Sequence, residues 1–217
     1  MITVLGRRNS ANVQKVMWTL GELDLQYHRE NIGGSFGYPD DYPNPVQVVP
    51  SLRDGDITVW ESNACVRYLA RTYGQGSLWP DDAQSLATAD MWMEWQRSDI
   101  SNAFFPLFIM LIREANASAE RIEKYTQECL RVFAQLDKQL VGRDYICGDQ
   151  LTMADIAIGA MCFRYMTLPV ERANLPNMES WYVRLTERAA FQKHVMIEYG
   201  SNLQEWNAHE AANADIQ

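Results

Sequence analysis

The chain has 217 residues, 47% of them apolar, with a formal charge of −9 from 28 acidic and 19 basic side chains. That length suits one large domain or two small ones with a real core, and the composition excludes a disordered chain. No basic run could follow a phosphate backbone and no apolar stretch reaches a membrane span, so neither nucleic acid nor bilayer is an expected partner and cytosolic residence is expected.

The N-terminal stretch Ile2 to Leu5 reads as a strand, and Val13, Val16, Met17 and Leu20 then recur at helical spacing. Asn9 or Ser10 is the candidate cap, which puts Ser10 at the mouth of the first helix. A second strand follows around Gln26 to Ile32. Strand, helix and strand within about thirty residues make a βαβ unit with parallel strands. Gly33 to Pro45 is too rich in Gly and Pro for more than one short helix.

Val48 to Leu52, the Asp/Gly turn Arg53 to Asp56, and the β-branched run from Ile57 to Trp60 predict a hairpin, followed by a helix from Ser62 to about Thr72. Pro50 cannot donate to a strand ladder, so it is expected at the start of its strand, where a cis Val49-Pro50 bond would turn the Val49 amide and carbonyl outward. Such a backbone can pair with a peptide. Ser62 and the free amides around it offer a carboxylate site at the positive end of the helix.

Gly74 to Asp82 reads as a linker, and the character then changes. Leu86 to Ile112 is apolar on several faces, with a kink expected at Pro106. Ile122, Tyr125, Cys129, Phe133, Leu136 and Leu140, spaced 3, 4, 4, 3 and 4 apart, form one strongly amphipathic helix. Thr152 and Asp155 make a variant capping box, and Leu151 and Ile156 its hydrophobic staple, for a helix running through Ala160 and Phe163. Shorter helices are expected from about Met178 to Glu187 and after Ala189. Met196 to Gln217 is polar, acidic and weakly patterned, and is expected to be a loosely held tail. The expected fold is therefore an α/β thioredoxin-like domain over residues 1–75 (βαβ then ββα), a linker at 76–83, and an all-α domain over 84–217.

The four cysteines, Cys65, Cys129, Cys147 and Cys162, show neither CxxC nor metal-ligand spacing, so no disulfide framework and no metal site are expected. None falls among residues 6 to 15, which disfavours dithiol exchange at the first helix start.

Val-Pro-x-Leu at Val49, an Asp/Gly turn, then Glu-Ser-x-Ala-x-x-x-Tyr-Leu from Glu61 resemble the glutathione-binding half of the cytosolic glutathione transferases. Ser10-Ala11-Asn12-Val13-Gln14-Lys15 is similar to the Ser-x-Asn-Val-x-Arg/Lys segment of their serine-type, theta- and phi-like bacterial classes. The Thr-x-x-Asp box after a Gly-Asp turn resembles the buried capping helix of their second domain. The resemblance implies glutathione as co-substrate and Ser10 as donor to its thiolate, with Asn12 as second candidate and Asn9 also open. It implies Ser62 on the γ-glutamyl carboxylate, Glu61 on the ammonium, and Val49 and Pro50 at the cysteinyl peptide.

A serine hydroxyl is a poor base, so its role would be to favour the charged sulfur. Lowering a thiol pKa from about 8.5 to about 6.5 needs only about 2.7 kcal/mol. Gln47 stands where the family pattern has glycine, and the segment before Asn44 looks shortened. The grip on the glycine carboxylate is thereby left open, with Arg7, Arg8 or Lys15 as possible substitutes. A small apolar or anionic electrophile is expected against Arg7, Met91, Trp95, Phe104, Phe105, Met110, Arg113 and residues near Phe163, with Arg8 and Arg113 as candidate anion contacts. The resemblance also implies a homodimer. Conjugation or dehalogenation is the leading reading, against a glutathione-dependent isomerase or reductase, or a non-catalytic glutathione-binding protein on the same fold.

Overall fold

A computed structural model describes residues 1–217. Strand β1 (Ile2–Leu5), helix α1 (Ala11–Glu22) and strand β2 (Tyr27–Glu30) are followed by the hairpin β3 (Ser51–Asp54) and β4 (Ile57–Trp60), then helix α2 (Ser62–Tyr73). The sheet order is β2-β1-β3-β4, with β1 and β2 parallel and the other pairings antiparallel. Val4 faces Leu52 across β1 and β3, and Gly55 takes φ +57 to close the hairpin. Val13, Val16, Met17 and Leu20 of α1 and Cys65 and Leu69 of α2 bury one side of the sheet with Val4, Leu5 and Leu52. This is the thioredoxin-like half.

The second half is helical: α3 (Ala83–Trp95), α4 (Ser101–Ile112), α5 (Ala119–Gln139), α6 (Met153–Thr167), α7 (Pro176–Thr186), α8 (Ala189–His194) and α9 (Leu203–Ala212). No helix is long and apolar enough to cross a membrane. The departure from α geometry in the Leu86 to Ile112 stretch is a π turn at Gln96–Ile100, ahead of Pro106, which lies within α4. Ser101 Oγ steadies that turn by donating to the Gln96 carbonyl at 3.0 Å.

Helix α6 is buried along nearly its whole length. Its start is tied down by Asp155, whose carboxylate accepts from the amides of Ile146 and Thr152, the Thr152 hydroxyl and Trp181 Nε1, all within 3.0 Å. Buried beside α6, Trp18 of α1 joins the halves. A Cβ built on Gly159 would come within 2.7 Å of Leu185 and 2.9 Å of Trp18, so only glycine allows this approach.

The C-terminal segment corrects the sequence reading, for it is not a loose tail. Trp206 and Glu210 of α9 are buried. The Arg29 guanidinium donates to the carbonyls of Asn213, Ala214 and Ile216, while Gln217 Oε1 accepts from the Arg29 amide. Arg8 donates to Asn213, and Glu210 pairs with Arg7 at 2.7 Å and accepts from the Ser35 amide. A polar segment with few apolar residues is thus held by distant arginines, which local periodicity cannot register.

Candidate active site

The turn from β1 into α1 leaves Ser10 at the helix start in extended conformation (φ −78, ψ 123), and its side chain caps no amide. Its hydroxyl is therefore uncommitted. Ser10 and Asn12 line a cavity of about 240 Å³ together with Val49. The Val49-Pro50 bond is cis, and the Val49 amide and carbonyl take no partner from the chain. The carbonyl before them, that of Val48, is satisfied by the Tyr42 hydroxyl and Asn44 Nδ2 at 2.9 and 3.1 Å. The loop is thus pinned on one side and open on the other.

Asn12 also lines a neighbouring cavity of about 250 Å³, with Glu61 and Ser62 at the start of α2. Ser62 Oγ donates to Asn12 Oδ1 at 3.2 Å, so the two helix starts are joined through one side chain. Glu61 holds φ +69, a conformation unfavourable for a non-glycine residue and typical of positions fixed for function. Ser10 and Val49 thus line one and Ser62 the other of two adjoining cavities that share Asn12 and Phe105 and together form a cleft, with Pro50 buried next to Val49.

Lys15, one of the three cations expected as substitutes for the grip on the glycine carboxylate, lines the cavity at the start of α2, beside Ser62. Its ammonium is buried and meets Gln96 Oε1 at 2.8 Å, Asn63 Oδ1 at 3.1 Å and Ser62 Oγ at 3.4 Å. Burial lowers its pKa to about 7, against the opposing pull of Glu61.

At the other end, the cavity wall comes from one face of α4, where Phe105 is followed three and four residues on by Phe108 and Ile109, and from Arg113 just past the helix end, four residues after Ile109. Arg7, Tyr38, Arg164 and Trp206 close it. Arg164 is buried, donates to the Asn9 carbonyl, and lies over the rings of Phe108, Trp206 and Tyr199 at 4.9, 5.4 and 5.8 Å. Burial holds its pKa down at about 9, with Tyr199 opposing and Arg7 and Arg113 reinforcing the effect. Three cations thus face one cavity, and the carboxylate paired with them is Glu210, on Arg7.

Several expected pocket residues lie elsewhere. Met91 is 62% exposed, Trp95 stands against Trp92 and Gln135, and Phe104 and Met110 are core. Phe163 borders a different cavity, with Leu111, Thr167 and Tyr199. Arg8 is spent on Asn213 and the Lys193 carbonyl. Because the α4 stretch is apolar all round, its periodicity does not say which face is open. Tyr38, Phe108, Ile109, Arg164 and Trp206 were missed, and only Tyr38 and Trp206, as large aromatics in polar surroundings, carried a usable signal.

A thioredoxin-like sheet joined to a helical half, with a free serine at the first strand-helix junction beside a cis-proline loop, defines a known two-part architecture. A model of the glutathione S-transferase N-terminal domain matches residues 5–77, and one of the C-terminal domain matches residues 119–184. Glutathione S-transferase GstB of Escherichia coli (strain K12) is 40% identical over 205 residues, covering 91% of this chain and 99% of that protein. A probable glutathione S-transferase GSTF2 of Oryza sativa subsp. japonica is 29% identical over 199 residues, covering 87% of this chain and 93% of that one. The crystal structure of the theta class enzyme of Xanthomonas axonopodis pv. citri with glutathione bound superposes with a TM-score of 0.86 at 38% identity, covering 91% and 98% of the two chains. The chain belongs to the glutathione S-transferase family.

Proposed function

We propose that this protein binds glutathione along the cleft and ionises its thiol at Ser10, so that the sulfur attacks a small electrophile held against α4. The observation that carries this reading is the Ser10 hydroxyl, uncommitted at a helix start and sharing its cavity with the free main chain of Val49. A hydroxyl donor and the positive end of a helix both favour a thiolate over a thiol. Val49 would pair with the cysteinyl peptide, Ser62 would take the γ-glutamyl carboxylate and Glu61 its ammonium. Asn12, already accepting from Ser62, serves as a bridge between the two ends.

In the reaction the sulfur–carbon bond forms as the bond from carbon to its leaving group, such as halide, breaks and the group departs with the electron pair. Proximity supplies much of the acceleration. Arg113 and Arg164, without a carboxylate partner in the chain, favour an electrophile bearing a negative charge, and Phe105, Phe108 and Ile109 suit its apolar part. Cytosolic residence agrees with four unpaired cysteines. A homodimer agrees with the edge strand β4 and α3, where Ile57, Trp60 and Met91 are 49%, 42% and 62% exposed.

Titration with glutathione, followed by the structure of the complex, tests the assignment. Sulfur within hydrogen-bond distance of Ser10 Oγ and a main-chain pair at Val49 are expected; a peptide bound elsewhere, or none bound, overturns it.

A further inference from the structure

Across α9 from the cleft lies a separate cavity of about 470 Å³, larger than either of the two that form the cleft. Helix α9 is part of the partition: Glu205 and His209, four residues apart, line this cavity, while Trp206 lines the cleft. Aromatic rings continue it, with Tyr199 on this side 5.3 Å from Phe108 on the other, and Phe163 6.2 Å from Tyr199. The floor is apolar. Leu111 and Ile112 at the end of α4 and Phe163, Leu168 and Pro169 at the end of α6 supply it. The hydroxyls among them are already engaged, since Thr167 Oγ1 donates to the Phe163 carbonyl at 2.7 Å and meets the Tyr199 hydroxyl at 2.7 Å. Such a wall favours hydrocarbon over water.

The mouth is acidic. Gly200, at φ +76, turns the chain back so closely that a Cβ there would fall 2.4 Å from that of Glu205. The turn lets the Ser201 amide and hydroxyl donate to Glu205 Oε2 at 2.7 and 2.9 Å, which fixes that carboxylate and holds its pKa below the usual range. Glu198 is the second carboxylate, 89% exposed, with His209 Nδ1 4.0 Å away. No Lys or Arg lines the cavity. Arg113 lies over the Trp206 ring in the partition, and Arg172 is spent on the Leu168 carbonyl.

From this pairing of an apolar floor with a carboxylate mouth we infer that the cavity is a second small-molecule site, for an aromatic or aliphatic compound carrying a protonated amine. The apolar body rests against Phe163, Leu168 and Tyr199, and the ammonium stays near water between Glu198 and Glu205. Its charge preference is the reverse of the cleft's, where Arg113 and Arg164 face the electrophile. A compound drawn to one cavity is therefore disfavoured in the other. The inference does not depend on the glutathione reading and goes beyond it.

Calorimetric titration at about pH 7.5 tests this with 4-phenylbutylamine, protonated there, and with 4-phenylbutanol and 4-phenylbutanoate, which keep the ring and chain but carry no charge and a negative one. The amine should bind with a dissociation constant of about 0.1 mM, about fivefold tighter than the alcohol, with the acid weakest. Leu111→Trp, which fills the cavity from α4, should weaken the amine about 10-fold or more. Glu198→Lys, at an exposed position, should bring amine and alcohol to within about twofold of each other. Should Leu111→Trp fail to fold, the crystal structure of the wild-type protein with the amine decides, the ring being expected beside Phe163 and Tyr199. The inference is overturned by an alcohol or acid that binds as tightly as the amine, or by an amine affinity that Leu111→Trp leaves unchanged. A preference untouched by Glu198→Lys, a ring found in the Ser10 cavity, or no binding of any of the three overturns it equally.

Discussion

The two ends of the cleft place their buried cations in opposite surroundings. Around Ser62 a single buried cation, Lys15, meets the neutral oxygens of Ser62, Asn63 and Gln96. Around Arg113 and Arg164 the cations lie on aromatic faces at 4.9 to 5.8 Å, which satisfies part of their charge without fixing a geometry. Under the proposed function, the first arrangement would select one shape of ligand and the second would tolerate many that share a charge. A transferase with a fixed co-substrate and a variable electrophile would use that difference, and Asn12 and Phe105 line both ends, with Ser10 beside them on the Val49 side.

The largest effect should strike both ends together. Asp155→Ala removes the acceptor of four buried donors at the start of α6, the helix that packs against α1, and should cost about 3 kcal/mol or more. Thermal unfolding should show a midpoint lower by about 6 °C or more, with the residual folded protein still binding glutathione. An unchanged midpoint would remove α6 as the shared support.

Ser10→Ala separates chemistry from binding at the Val49 side of the cleft. Turnover of a chromogenic electrophile should fall about 100-fold, the equivalent of two pK units, while glutathione affinity stays within about threefold. A matched loss in affinity would mean that Ser10 only shapes the cleft. Arg113→Met should sharpen the contrast further. It should lower kcat/KM for a carboxylate-bearing electrophile by about 10-fold and leave a neutral one within about threefold. Equal losses would show an aromatic pocket indifferent to charge.

A further effect, read only in acid, lies outside both ends. His194 is buried beside Gly21, and burial, reinforced by Lys193 and Arg8, lowers its pKa from 6.5 to about 4. The unfolded chain therefore binds a proton at this residue that the folded chain refuses, and stability should fall as pH drops from about 6.5 to about 4. His194→Gln should flatten that slope in pH-dependent denaturation while leaving both cavities intact. A slope as steep as that of the wild type would assign the acid limb to other groups.

What was legible in the sequence was local. The Val49-Pro50 hairpin, Glu61-Ser62 at the start of a helix and the Thr152 to Asp155 box each declare themselves within a few residues, because caps and turns are made by neighbours. The rest depends on partners far apart in the chain. Arg164 reaches the Asn9 carbonyl across 155 residues, and Arg29 holds Ala214 across 185. Such pairs have no period, so the docked C-terminal segment read as a tail. The α4 face failed for a different reason: a helix apolar on every side gives the right element and no orientation. Lys15 was visible as a residue type and invisible as a buried cation, since nothing nearby in sequence marks Asn63 and Gln96 as its acceptors.

Titrating the thiol of bound glutathione by its ultraviolet thiolate absorbance tests most directly whether this cleft ionises sulfur at Ser10. In the wild-type protein the transition should lie about two pH units below that of a free thiol near 8.5, and in Ser10→Ala it should return toward the free value. A transition at the same pH in both proteins would contradict the assignment.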